Sequence, residues 1–325
     1  IFSVPVNGGI ARQLTTNPAY DAYPVWSPDG QNIAFSSSRE GSLDIYLMSK
    51  DGGTPKRLTT NSGSETPMAF KDNNHILFTT EVMPTAKSIY FASGIFPQTY
   101  EVTTDGSRPR LVSPTTMCDV SINSKGEMLY HDSKGYEDNF RKHHRSPVTR
   151  DIWLYREGKY TKLTDFNGED RTPVWASNGT SYYYLSEEDG TFNVYKRNLD
   201  GSGKKQLTFH KKNPVRFLTA ANNGTLCYGY DGEIYTQQNN SEPQKVRIEI
   251  TRDDRPQIAR LNYTSGATSA TVSPDGKQIA FIARGEVFVT SADYATTKQI
   301  THTPANESSL SFAPDNRTLA YASER

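Results

Sequence analysis

Apolar and polar residues alternate along this chain in short runs, the period-two pattern of half-buried β-strands, and one signature keeps returning. An aliphatic residue followed by an aromatic one stands at Ile1-Phe2, Ile45-Tyr46, Ile152-Trp153, Val194-Tyr195, Ile234-Tyr235 and Val287-Phe288, with Thr99-Tyr100 an imperfect seventh copy. After each copy comes a basic or amide residue, an aliphatic one and usually Thr: Gln13-Leu14-Thr15, Arg57-Leu58-Thr59, Arg110-Leu111-Val112, Lys162-Leu163-Thr164, Gln206-Leu207-Thr208 and Gln299-Ile300-Thr301, with Val246-Arg247-Ile248 the degenerate member. A spacing of roughly 40 to 50 residues marks propeller blades or a solenoid.

The clearest copy predicts the unit. Pro24–Ser27 reads as an inner strand, Pro28-Asp29-Gly30 as a tight turn, Gln31–Ser37 as a second strand, Asp44–Ser49 as a third, and Lys56–Thr59 as a fourth. Four short antiparallel strands make one propeller blade. The first turn recurs at 71–73, 124–126, 177–179, 222–224, 274–276 and 314–316, so seven turns match seven third strands. The fold class expected is all-β: a β-propeller with seven blade equivalents, either six blades plus the start of a second propeller or one closed seven-bladed ring. In the closed ring, the hairpin 309–323 would complete the blade that begins at Ile1. Trp26, Ile122, Trp175, Val272 and Phe312 occupy equivalent positions and are expected to wedge between neighbouring blades.

Antiparallel order also places the loops. Second-to-third connections and inter-blade loops share one face, and the long insertions 82–96, 131–150 and 251–266 all emerge there. Loops of this length are uncommon unless they carry function or link domains, so this face is expected to meet a substrate or partner.

Composition removes several function classes. With 36 Lys+Arg against 36 Asp+Glu, no net field draws the chain to nucleic acid or to an anionic membrane, and no apolar run reaches the ~20 residues of a membrane span. The chain opens inside a repeat without Met, and reads as a piece of a longer protein. Cys118 and Cys227 lie in non-adjacent repeats and are expected to be unbridged. No nucleophile elbow, zinc-protease motif or close Cys/His set is present, so neither catalytic residue, metal nor cofactor is assigned. The densest charge is Arg141-Lys142-His143-His144-Arg145. It reads either as a solvated loop or as a cationic lip attracting carboxylates such as peptide C-termini.

The repeats ending in "RLTT" and opening with "PVWSPDG" resemble TolB-like propeller repeats. The stretches "YEDNFRKHHRSPVTRDIWLYREGKYTKLT", "SEEDGTFNVYKRNLDGSGKKQLT" and "SPDGKQIAFIARGEVFVTS" resemble, across essentially the whole chain, the propeller region of tricorn-type serine peptidases. The resemblance implies residues 1–250 as a first propeller (the outer half of blade one plus five blades), 251–268 as a connector, and 269–325 as the beginning of a second propeller. The inner hairpin of blade one and the peptidase itself would lie outside the chain. The segment would then be a non-catalytic passage and scaffold for oligopeptide degradation. Its partners would be peptides or unfolded segments, downstream peptidase and PDZ-like domains, and further copies of itself. A bacterial source would place it in the periplasm or outside the cell, with the cytoplasm as the alternative. The competing implication is a TolB-like propeller that binds a protein partner without catalysis.

Overall fold

The computed structural model describes residues 1–61, 63–80, 96–135, 146–238, 241–251 and 265–324. It divides into two compact units, Ile1–Arg252 and Asp253–Arg325. Among the described residues every regular element is a strand.

The first unit opens with β1 (Phe2–Ser3), β2 (Gly9–Ile10) and β3 (Arg12–Gln13). Five four-stranded blades follow: β4 (Asp21–Trp26), β5 (Asn32–Glu40), β6 (Ser42–Ser49) and β7 (Gly52–Arg57); β8 (Glu65–Asp72), β9 (His75–Thr80), β10 (Gln98–Thr103) and β11 (Arg110–Ser113); β12 (Cys118–Ile122), β13 (Met128–His131), β14 (Ile152–Arg156) and β15 (Lys159–Lys162); β16 (Asp170–Trp175), β17 (Ser181–Ser186), β18 (Asn193–Asn198) and β19 (Lys205–Gln206); β20 (Arg216–Ala220), β21 (Thr225–Tyr230), β22 (Glu233–Gln238) and β23 (Gln244–Lys245). The unit ends in β24 (Ile248–Glu249). The second unit holds one blade, β25 (Ala267–Val272), β26 (Gln278–Ala283), β27 (Glu286–Ser291) and β28 (Thr297–Gln299), and the hairpin β29 (Glu307–Phe312) and β30 (Leu319–Ser323). All seven third strands and all seven first turns read from the sequence are present.

Each blade is an antiparallel meander. In the first unit the inner strands pack in succession, β4 on β8, β8 on β12, β12 on β16 and β16 on β20. These inner strands are kinked by bulges. Tyr23, Asp119, Thr172 and Phe217 sit there with φ between 50° and 57°, a region costing a non-glycine residue about 1 kcal/mol or more. The blade plan imposes this conformation on four unlike side chains, which is why no residue type signalled it.

The repeated Thr acts as a latch. Its hydroxyl accepts the backbone N–H of the aliphatic residue in the third strand, from Ile45 to Thr59 (2.9 Å), Ile152 to Thr164 (3.0 Å), Val194 to Thr208 (2.8 Å) and Val287 to Thr301 (2.9 Å). Thr59 then donates to Glu65 at the start of the next blade, and Asp170 accepts from Thr164 in the same way. The preceding basic or amide residue reaches the Thr carbonyl: Gln13, Arg57, Gln206 and Gln299 donate to Thr15, Thr59, Thr208 and Thr301 at 2.8–2.9 Å. The triplet therefore binds third strand, fourth strand and next blade together, satisfying polar groups that burial would otherwise leave unpaired.

Hydrophobic cores lie between blades. Leu129, Ile152 and Leu154 of one blade meet Trp175, Tyr182 and Tyr184 of the next, and Trp175 Nε1 donates to Ser121 O at 3.1 Å. Trp175 is thus the expected wedge, and Ile122 and Phe312 are half-buried. Two equivalents are not wedges: Trp26 is 52% and Val272 57% exposed. The expectation fails for a physical reason. Wedging needs an inner strand on the preceding side, and each residue belongs to the first four-stranded blade of its unit.

One pairing has no counterpart in the repeat. β2 runs parallel to β24, Gly9 opposite Ile248 and Ile10 opposite Glu249. Gly9 N–H donates to Arg247 O and Ala11 N–H to Glu249 O, both at 2.8 Å, which ties the last segment of the first unit to its first. Gly8 makes the approach feasible: its φ is +86°, and a Cβ there would stand 2.4 Å from Arg247 O.

Candidate functional site

The basic run Arg141, Lys142, His143, His144 and Arg145 lies outside the described residues, as do most residues of the insertions 82–96 and 251–266. What the structure describes is the base from which the 131–150 insertion rises. Lys134 Nζ contacts Asp151 Oδ2 at 2.5 Å and Thr149 O at 2.6 Å, and Lys162 Nζ lies 2.9 Å from the same Asp151 oxygen. Asp132 accepts from Asp151 N–H at 2.8 Å and from Trp153 Nε1 at 3.0 Å. The two limbs of the insertion are clamped across their root by charge-assisted bonds, stronger than neutral ones.

Both ends of the insertion are buried, at His131 and Arg150. Arg150 Nη1 lies 3.0 Å and Arg171 Nη1 3.5 Å from Glu169 Oε1, and the Arg171 guanidinium stands 4.2 Å from the centre of the Phe192 ring. Glu169 N–H donates to Glu187 Oε1 at 3.0 Å. Burial lowers Arg171 to about 10, which leaves it charged at neutral pH. These groups come from the end of β13, the start of β14, the start of β16 and the segment after β17. All stand on the insertion face.

His131 is neutral. Burial drives its pKa down to about 4, with Asp119 opposing, and Thr172 N–H donates to His131 Nδ1 at 3.3 Å, which puts the imidazole proton on Nε2. Thr172 Oγ1 donates to Asp119 Oδ2 at 2.7 Å. Cys118 pairs with His131 across the β12–β13 ladder, so Cys, His and Asp meet in one place. The electrostatics oppose nucleophilic catalysis there: burial, with Asp119 assisting, pushes the Cys118 thiol up to about 12, far from the thiolate that attack requires. Cys118 and Cys227 are both free.

Sequence reading located the insertion but missed the cluster beneath it. The available signal was charge at strand ends on the loop face: Arg150 and Asp151 before β14, and Glu169, Asp170 and Arg171 at β16. Single-sequence reading had no means of choosing these over ordinary exposed loop charges.

The meandering four-stranded blades, their inner strands stacked in sequence order, define a β-propeller protein. The tricorn protease N-terminal beta propeller domain matches residues 1–243, and the chain belongs to that family. It is 25% identical over 308 residues to a putative tricorn protease homolog of Streptomyces coelicolor, covering 91% of this chain and 25% of that protein. It is 24% identical over 305 residues to the tricorn protease of Thermoplasma acidophilum, covering 87% and 26% respectively. The chain thus spans about a quarter of the length of these relatives. Among solved structures, the tricorn protease superposes with a TM-score of 0.67 at 20% identity, covering 90% of this chain and 28% of the other. A putative TolB of Agrobacterium tumefaciens reaches 0.53 at 17% identity, over 72% and 83%, a likeness of fold alone.

Proposed function

We propose that this chain is the non-catalytic propeller segment of a tricorn-like serine peptidase, serving as a peptide access and selectivity passage and as an assembly scaffold for oligopeptide degradation. The supporting observation is the family match over 1–243 together with the clamped root of the insertion on one face of the blades. The described root of that insertion is tied together by ion pairs from Lys134 to Asp132 and Asp151 and from Lys162 to Asp151. In this reading Arg141, Lys142, His143, His144 and Arg145 form a cationic lip for peptide carboxylates, residues 1–250 are the first propeller, 251–268 the connector, and 269–325 the start of a second. Peptides or unfolded segments are the ligands, and downstream peptidase and PDZ-like domains and further copies are the partners. Among the described residues no helix is long and apolar enough to cross a membrane; periplasmic or secreted placement belongs to this proposal.

The test replaces Arg141, Lys142 and Arg145 by Ala in the full-length peptidase. Capture of acidic and free-carboxylate peptides weakens, most at low salt because the Debye length is only about 8 Å at physiological ionic strength. Equal processing of acidic and C-terminally amidated peptides by variant and wild type at low salt refutes the lip.

A further inference from the structure

The strained bulges put particular side chains in water. Tyr23, Asp119 and Thr172 occupy the same place in β4, β12 and β16, with φ of 54°, 50° and 51°. A bulge takes a residue out of the alternation that buries its neighbours. In β12 Val120 is buried while the Asp119 side chain is 51% exposed, and in β16 Arg171 and Pro173 are buried around a half-buried Thr172. Tyr23 is 52% exposed. Each of these strands is the innermost of its sheet, and β12 and β16 have an inner strand packed on either side. The water Asp119 and Thr172 meet therefore lies along the free edges of the inner strands. Thr172 Oγ1 donates to Asp119 Oδ2 at 2.7 Å, so the bulges of successive blades touch.

Two copies depart from the series. In β8 the equivalent place, two residues after Glu65, is taken by Pro67, which is buried and whose ring forbids a positive φ. Phe217 repeats the φ, at 57°, but its ring lies against its own sheet, 3.2 Å from where a Gly229 Cβ would stand. Tyr23 and Asp119 remain as the large or charged side chains that the bulges expose to the passage side. Both sit near the start of an inner strand, just inside the insertion face.

Their chemistry points one way. Among the described residues the only basic group within ion-pair distance of Asp119 is His131, at 3.6 Å. That imidazole is neutral, and its Nδ1 accepts from Thr172 N–H. Asp119 is thus oriented by a hydroxyl without being neutralised by a cation. The face of the Tyr23 ring attracts cations as well.

We propose that Asp119, positioned by Thr172, and Tyr23 form a selectivity step inside the mouth of the passage that favours the basic side chains of a peptide over acidic ones. The step rests on the peptide-passage reading and has the opposite sign to the basic run, which draws carboxylates from outside.

The test measures, by fluorescence anisotropy, binding to this chain of dye-labelled hexapeptides that differ only in a central Arg, Gln or Glu. The peptides are N-acetylated and C-terminally amidated, which removes the terminal carboxylate that the basic run would capture. Wild type should bind the Arg peptide most tightly and the Glu peptide least. The preference for Arg over Gln should fall about threefold in Asp119→Asn and about twofold in Tyr23→Asn. Asn tolerates a positive φ, and in Asp119→Asn it keeps an acceptor for Thr172. A second measurement needs no variant: at about 1 M salt, where the Debye length is about 3 Å, the wild-type preference for Arg over Glu should shrink. An Arg preference that is absent, insensitive to salt, or unchanged in both folded variants overturns the selectivity step while leaving the passage reading intact. Failure of wild type to bind any of the peptides overturns both.

Discussion

Glu65 offers the sharpest check on the latch. Its carboxyl accepts from Thr59, its side chain is 1% exposed, and burial raises its pKa from 4.5 to about 7, with nearby Asp44 adding to the rise. Below about pH 4.5 the group is protonated in both folded and unfolded chains and contributes no pH dependence. As pH rises through 4.5 the unfolded chain releases its proton while the folded one holds on until about 7. Stability therefore falls across that window and levels off above it. At about 1.4 kcal/mol per unit, 2.5 units set an upper bound of about 3 kcal/mol, and relaxation around a buried charge brings the expected figure to about 2 kcal/mol. Glu65→Gln keeps an acceptor for Thr59 and never ionises. The stability of Glu65→Gln relative to wild type should thus rise by about 2 kcal/mol between pH 4.5 and 8, measured by urea unfolding at constant m-value. Taking the difference cancels other titrating groups, Asp170 among them, whose carboxyl is also raised to about 7. A flat difference, or one falling with pH, refutes the reasoning.

Trp175→Ala should cost about 3–5 kcal/mol as a buried aromatic, whereas Trp26→Ala should cost under about 1 kcal/mol; equal losses in chemical denaturation would contradict the exposure difference. Gly8→Ala should destabilise the first unit by about 2 kcal/mol or more through its positive φ and the clash with Arg247 O, with faster hydrogen exchange at Gly9 and Ala11 as the local readout. His131 is held neutral down to about pH 4 against an unfolded value near 6.5. The unfolded chain therefore gains a proton first as pH falls, and stability drops between about 6.5 and 4; His131→Gln should flatten that limb of a denaturation-versus-pH curve. The chain by itself should not hydrolyse fluorogenic peptides, and turnover abolished by changing one Ser within it would overturn that expectation.

The strands were legible because their cause is local. Alternation, the Pro-Asp-Gly type turn and the recurrent Leu-Thr are short-range chemistry, and the aromatic residue of each aliphatic-aromatic pair lies in a third strand. What each residue faces is a different matter. Trp26 and Trp175 occupy the same place in the repeat, yet one is exposed and the other sealed under Ser121, because exposure depends on the neighbouring blade and not on the residue's own. The same holds for the site. His131, Arg150, Glu169 and Arg171 are spread over some forty residues and converge only when two blades pack, and burial then turns an ordinary histidine neutral and a cysteine inert. Sequence periodicity determined the unit and its count. The tertiary structure alone decided which copies of a repeated residue lose their water, since desolvation is a property of the whole packed surface.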